Sequence, residues 1–443
     1  LTIACSITLA YSTLGGLKAV IITDFVQFIL AMTGSIWAML YILSLDKVGG
    51  LSELLIHKNV VDKLALIPDL SNPDVWVPVL LVPLAVQWWA SYYPGSEPGG
   101  GGYIAQRMFS AKDEQNAVSA TLFFNVAHYA LRPWPWILIA LSSLVVYPEL
   151  SDLQTAFPNL PEDKLGHDVA YPAMLTLLPS GLLGLVAASL IAAFMSTMST
   201  QLNLGASYLV NDFYHRFFKP NATEKELVMA GRLFTVVSII LGGGLGLMLT
   251  SAGQAFTLLL MIGAGTGLIY ILRWFWWRIN AWSEITAMVA SLIVSISLLI
   301  RKRIIDLFHD IMEKTDVPSE DQSELISKHF GHLLGWEELV LTVFIVTIIW
   351  ISVTLITKPD DDETLRNFVK KVNPGGPGWA KYSEGVSTEP WPVPIGILCM
   401  ILGCISVYSI LFGVGQLIYG HNIGFGLIGL SLASALGLMR LWK

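Results

Sequence analysis

Long apolar stretches alternate with short polar ones along almost the whole chain. A helix crossing a ~30 Å hydrocarbon core needs about 20 mostly apolar residues. Eleven stretches approach or pass that length: 1–14 (a stub), 19–44, 75–93, 117–147, 171–198, 229–250, 254–272, 281–300, 338–357, 391–418 and 422–439. Turn and helix-start signals separate them, among them Asn72-Pro73-Asp74, Lys219-Pro220-Asn221 and Lys358-Pro359-Asp360. No ten-residue block alternates with period two, so the pattern predicts an all-α polytopic membrane protein and not a β-barrel.

Composition agrees. Of 443 residues, 54% are hydrophobic and 13% charged, against about 25% charged in soluble domains. The mean hydropathy of +0.63 excludes a water-soluble globule. A net charge of −7 indicates no basic nucleic-acid surface. Cys5, Cys399 and Cys404 sit in apolar runs and make no disulfide framework. Neither a Gly-x-Ser-x-Gly nor a His/Asp/Glu cluster with metal spacing is present, so an enzyme is not expected, nor is an organic cofactor or a transition metal. Leu1 lies inside an apolar run without the charged start of a signal peptide, which reads as a chain whose front end is missing.

Threading the stretches alternately puts the larger share of the 26 basic residues on the face bearing Lys18, Arg107, Lys112, Arg216, Lys219, Arg273, Arg278, Lys370, Lys371 and the C-terminus. By the positive-inside rule that face is cytoplasmic, predicting a protein of the plasma (inner) membrane. Loop 302–336 is then external, with Ile304, Ile305, Leu307, Phe308 and Ile311 on a short amphipathic or solvated helix. Segment 358–390 is a cytoplasmic loop ending in the extended linker Pro374-Gly375-Gly376-Pro377-Gly378.

Polar groups at membrane depth mark a pathway rather than an anchor, and four places carry them. A Gly15-Gly16 turn is expected to enter a helix with Asp24 one turn inside, where the carboxylate is either a dipole partner or a cation ligand. From Gln87 through Trp88, Trp89, Tyr92, Tyr93, Glu97 and the Pro94–Gly102 run to Tyr103, the chain reads as one helix broken in mid-membrane. Asn125, His128, Tyr129, Arg132 and Trp136 fall on one helical stripe. An arginine at that depth costs ~2.5–3.5 kcal/mol or more, so Arg132 should meet a structural partner such as Glu97 or an anionic substrate. The fourth place runs from Ala192 and Ala193 through Ser196, Thr197, Ser199 and Thr200 to Asn203, crowding small and hydroxyl residues at the end of an apolar helix. These serve close packing or supply oxygen ligands to a dehydrated Na⁺.

Together these segments resemble the sodium:solute symporter family, which includes the sodium–glucose transporters. The matching residues are Gly15-Gly16-Leu17-x-Ala19-Val20 with Thr23-Asp24 and Gln27; Gln106-Arg107; the hydroxyl helix through Asn203 to Asp212-Phe213-Tyr214; Gly231-Arg232; and Trp274–Arg278. The resemblance covers residues 1–280. It implies an inverted five-plus-five helix repeat core with its N-terminal part missing and four trailing peripheral helices. On that alignment 1–44 ends the first repeat (core helices four and five), 75–272 is the second (six to ten), and 281–443 is peripheral. It further implies sodium ligands at Ala193, Ser196 and Thr197, and in some members a second sodium at Asp24 with Ser199 or Thr200. Sugar contacts carry over to Asn125 and Gln254, and Tyr103 falls near an inner aromatic gate. Gly101-Gly102, the Pro94–Gly102 break and Arg132 depart from the sugar-transporter pattern, which leaves the substrate open.

The expected function is Na⁺-coupled import of a small polar organic solute by a monomer that alternates its access. The aromatic residues Trp88, Trp89, Tyr92 and Tyr93 suit a sugar ring, and Arg132, with Tyr129 and Glu97 as further candidate contacts, suits a carboxylate such as a sugar acid or sialic-acid-like solute. The rivals are a proton-coupled transporter and a transporter-like membrane sensor.

Overall fold

The computed structural model describes residues 2–89, 102–161, 165–248, 252–314, 333, 335–383 and 391–442. All regular structure among them is helical. In chain order the helices are α1 (Thr2–Leu43), α2 (Leu51–Ile56), α3 (Pro73–Gln87), α4 (Gly102–Phe109), α5 (Glu114–Val146), α6 (Leu150–Ala156), α7 (Ala170–Leu175), α8 (Ser180–Phe218) and α9 (Glu224–Met248). There follow α10 (Ala252–Leu272), α11 (Ala281–Lys314), α12 (Gly335–Ile356), α13 (Asp362–Val372), α14 (Ala380–Ser383), α15 (Val393–Ile418) and α16 (Ile423–Leu441). Eight have the length and composition to cross a bilayer, while Pro73–Gln87 and Leu260–Leu272 are shorter apolar helices. The protein is an integral membrane protein.

Two compact units divide the chain: Leu1–Ile67, Met108–Gly246 and Ile395–Lys443 form the first, and Pro68–Arg107 with Leu247–Pro394 the second. In the first, α1 lies along α8 through small residues. Gly34 faces Ser189 and Val186, and Ala38 and Ile42 join Ile139, Met174, Leu178 and Leu182 in a closed cluster. Small side chains let membrane helices approach closely where the hydrophobic effect gives no drive. Gly415 of α15 leaves room for the Trp134 ring of α5, and Ser406 donates to the Ser431 carbonyl at 3.0 Å across the α15–α16 pair.

In the second unit α10, α11 and α12 form a bundle around Ile269, Ala287, Val346 and Trp350. Ser291 Oγ donates to the Ile262 carbonyl at 2.8 Å where Gly265 admits it. Trp89 closes α3 onto α10, its indole donating to the Ala264 carbonyl at 2.9 Å above Gly267.

Several expectations are corrected. The Gly15-Gly16 turn is absent: α1 continues through it as one 42-residue helix, so the stub and 19–44 are a single element and Lys18 lies in no loop. Each glycine costs about 1 kcal/mol in a helix, less than breaking backbone hydrogen bonds inside lipid. The stretch 171–198 is also redrawn. Pro179, extended at φ −61° and ψ 148°, stands before the first turn of α8, because proline disfavours helix in the residue ahead of it. The helix then continues in π form over Leu209–Phe218, which moves Ser196 and Thr197 from a helix end to its middle.

Arg301-Lys302-Arg303 is interior to α11, which runs on to Lys314, so Ile304, Ile305, Leu307, Phe308 and Ile311 continue that helix. Within the 358–390 stretch, residues 362–383 are folded as well. Asp361 caps α13 by accepting from the Thr364 amide at 2.8 Å, and these bonds hold its carboxyl below the usual carboxylate range. Leu365, Val369, Trp379 and Tyr382 are buried together with Trp277 at their edge. Of the helices after residue 280, α11 and α12 fall in the second unit and α15 and α16 in the first.

Candidate cation and solute site

Ser196 and Thr197 stand near the centre of α8, and Asp24 on the stretch of α1 that lies alongside. Ser196 Oγ donates to Asp24 Oδ1 at 2.5 Å. Thr197 Oγ1 donates to the Ala193 carbonyl at 3.1 Å, and Ser199 Oγ to the Ser196 carbonyl at 3.0 Å. Ser199 and Thr200 are buried, Ser196 and Ala193 half-buried, Thr197 exposed. Ala193, Ser196, Thr197 and Thr200 follow one helical stripe. The result is a cluster of a carboxylate, hydroxyls and carbonyls in segments of membrane-crossing length. Gln27, one turn beyond Asp24, holds its Oε1 buried with no hydrogen-bond partner.

The second constellation is on α5. Proline at 133 has no N–H and crowds the carbonyl four residues back. The preceding Val126–Leu131 accordingly adopts a π-helix, Arg132 N bonding to the Ala127 carbonyl at 3.0 Å. Such wide turns are frequent at functional sites. Arg132 Nη1 is 2.8 Å from His128 Nδ1, and its guanidinium lies 4.6 Å from the Trp136 ring centroid. Arginine has only donors, so Nδ1 accepts and the imidazole is neutral. Tyr171 of α7 packs against the buried cluster that contains Ile139 of the same helix. His128 also meets Tyr129 edge-on and stacks on Phe124. Arg132 thus meets His128 and Trp136, each one turn away on its own helix. Glu97 lies outside the described residues.

Asn125 turns its amide to the Thr121 carbonyl at 2.8 Å on its own helix, and Tyr129 is exposed. Trp88 is exposed in the second unit; its neighbour Trp89 makes the packing contact. Tyr92, Tyr93 and the Pro94–Gly102 break are outside the described residues up to Gly101, as are the side chains of Tyr103 and Gln254. Asp24 and Ser196, assigned to separate sodium sites by resemblance, are the pair brought into contact. The Arg132–His128 pair was legible as an i, i+4 spacing; the Tyr171 contact was not, since only folding brings α7 to α5.

Hydroxyl, carboxylate and guanidinium groups inside helices of membrane-crossing length are the mark of a transporter-like class rather than of an anchor. The match to known sequences is more particular. Residues 1–293 match the sodium:solute symporter family, and the chain belongs to that family. It is 30% identical over 302 residues to a sodium/glucose cotransporter of Vibrio parahaemolyticus, covering 64% of this chain and 54% of the relative. It is 26% identical over 388 residues to the human sodium/myo-inositol cotransporter 2 (81% and 54%). It is likewise 26% identical over 302 residues to the osmoregulated proline transporter OpuE of Bacillus subtilis (65% and 54%). The chain spans about half the length of the curated relatives it matches.

Proposed function

We propose that this chain belongs to a Na⁺-coupled secondary symporter that imports a small polar organic solute by alternating access. The observation that carries the reading is the oxygen cluster of α8 facing Asp24. A hard alkali cation takes oxygen ligands, and carbonyl, hydroxyl and carboxylate oxygens fit that need. The Ala193 carbonyl with the Ser196 and Thr197 hydroxyls would hold the ion, which supplies the electrochemical driving force when bound. A second Na⁺ at Asp24 with Ser199 and Thr200 is the competing use of that carboxylate. The solute class is a sugar or a sugar acid, supported by relatives named for glucose and myo-inositol and by the Arg132, Tyr129, Asn125 and Trp88 side chains. An inverted-repeat core, with 1–44 closing the first repeat and 75–272 forming the second, belongs to the same proposal. So do a plasma-membrane location with the C-terminus cytoplasmic and a monomeric state.

Solute uptake into proteoliposomes tests it. Uptake is expected to require Na⁺, and Thr197→Ala to raise the apparent Na⁺ requirement strongly with folding intact. Uptake indifferent to Na⁺ and to Thr197→Ala, and driven by a proton gradient, favours proton coupling instead. Absence of any uptake with solute still bound favours the sensor.

A further inference from the structure

The bond between Asp24 and Ser196 has a direction that matters. A serine hydroxyl carries one donor and two acceptor lone pairs. Ser196 commits its proton to Asp24 Oδ1 at 2.5 Å, which leaves the lone pairs of Oγ as ligand electrons. The backbone of the same residue is held too, since the fully buried Ser199 donates to its carbonyl at 3.0 Å. The reach of Asp24 is set by the close approach of α1 and α8, where Gly34 lies against Ser189 and Val186 and the Ser35 and Ser189 hydroxyls turn back to their own helices.

Resting on the reading that Ala193, Ser196 and Thr197 hold Na⁺, we propose that Asp24 is a positioning residue of that first cation site. Its carboxylate accepts the Ser196 proton, aims the hydroxyl oxygen, and places a negative charge one hydrogen bond behind a ligand. Groups that orient a metal ligand in this way typically change affinity 10–100-fold when removed. This differs from direct ligation of a second ion by Asp24, in which Ser196 Oγ has no part.

The test is a Na⁺ titration of the full-length protein without solute, read by isothermal calorimetry and by Na⁺-dependent thermal shift. The proteins are wild type, Asp24→Asn, Ser196→Ala, the double variant, Ser196→Thr and Thr197→Ala. Asp24→Asn is expected to weaken Na⁺ binding about 10–100-fold with the number of bound ions unchanged. Ser196→Ala should weaken it comparably, Ser196→Thr much less, and Asp24→Asn should add little in the Ser196→Ala background. Loss of one Na⁺ from the stoichiometry, an undiminished Asp24 effect without the Ser196 hydroxyl, or unchanged affinity in Asp24→Asn overturns the proposal. Should Asp24→Asn not fold, Ser196→Ala against Ser196→Thr decides through the hydroxyl alone, equal affinities overturning it. Thr197→Ala reports on the underlying reading separately: if it binds Na⁺ like wild type, the site itself is misplaced.

Discussion

At the scale of single residues, the Arg132 stack governs how a charge survives in a membrane-crossing helix. The guanidinium donates to His128 and covers the Trp136 ring, two contacts on its own helix that need no substrate. A cation–π contact is worth about 0.5–2 kcal/mol and a hydrogen bond to a charged group about 1.5–3 kcal/mol. Arg132→Gln is therefore expected to lower unfolding free energy by about 1–3 kcal/mol. Trp136→Leu should cost part of the same amount, and the double variant less than the sum. Thermal unfolding in detergent measures all three. An unchanged midpoint in Arg132→Gln together with lost binding of carboxylate solutes would instead assign the guanidinium to the substrate.

At the scale of elements, small residues decide which helices can touch. A Cβ at Gly415 would run into the Trp134 ring, whereas Gly426 faces open space. Gly415→Ala is expected to destabilise by about 1–3 kcal/mol through overpacking. Gly426→Ala should instead be neutral or gain up to about 1 kcal/mol from helix propensity. Denaturation midpoints of the two variants, compared side by side, check this. Equal midpoints would mean that α15 does not dock on Trp134 as described. The same logic explains where element boundaries departed from the apolar pattern. Hydropathy locates stretches of lipid-compatible sequence but is blind to continuity, so it divided α1 at Gly15-Gly16 and ended α11 at Arg301. A proline is a stronger mark than either: Pro179 starts α8, and Pro133 widens the turn before it.

At the scale of the whole molecule, the remaining question is the solute. Asn125, Tyr129 and Arg132 lie together in the first unit, with chemistry suited to a hydroxyl-rich or carboxylate-bearing molecule. A bound ligand at 100 times its Kd stabilises by about 2.7 kcal/mol, enough to read as a thermal shift. With Arg132 already partnered, neutral sugars and polyols are expected to stabilise the protein in Na⁺ buffer and not in K⁺ buffer. A shift confined to sugar acids would reverse that preference.

What the sequence determined by itself was the lipid-crossing, all-helical class, the family, and which residues carry oxygen or cationic chemistry. Those follow from transfer energies and local spacing, which are properties of short segments. Only the tertiary structure decided that Asp24 meets Ser196, that Tyr171 packs against the Ile139 cluster, and that the apparent linker after Lys358 folds around Trp379 and Tyr382. These contacts join positions as much as 172 residues apart. Their formation depends on how closely two helices approach, and that distance is set by side-chain volume on both partners at once rather than by either sequence segment alone.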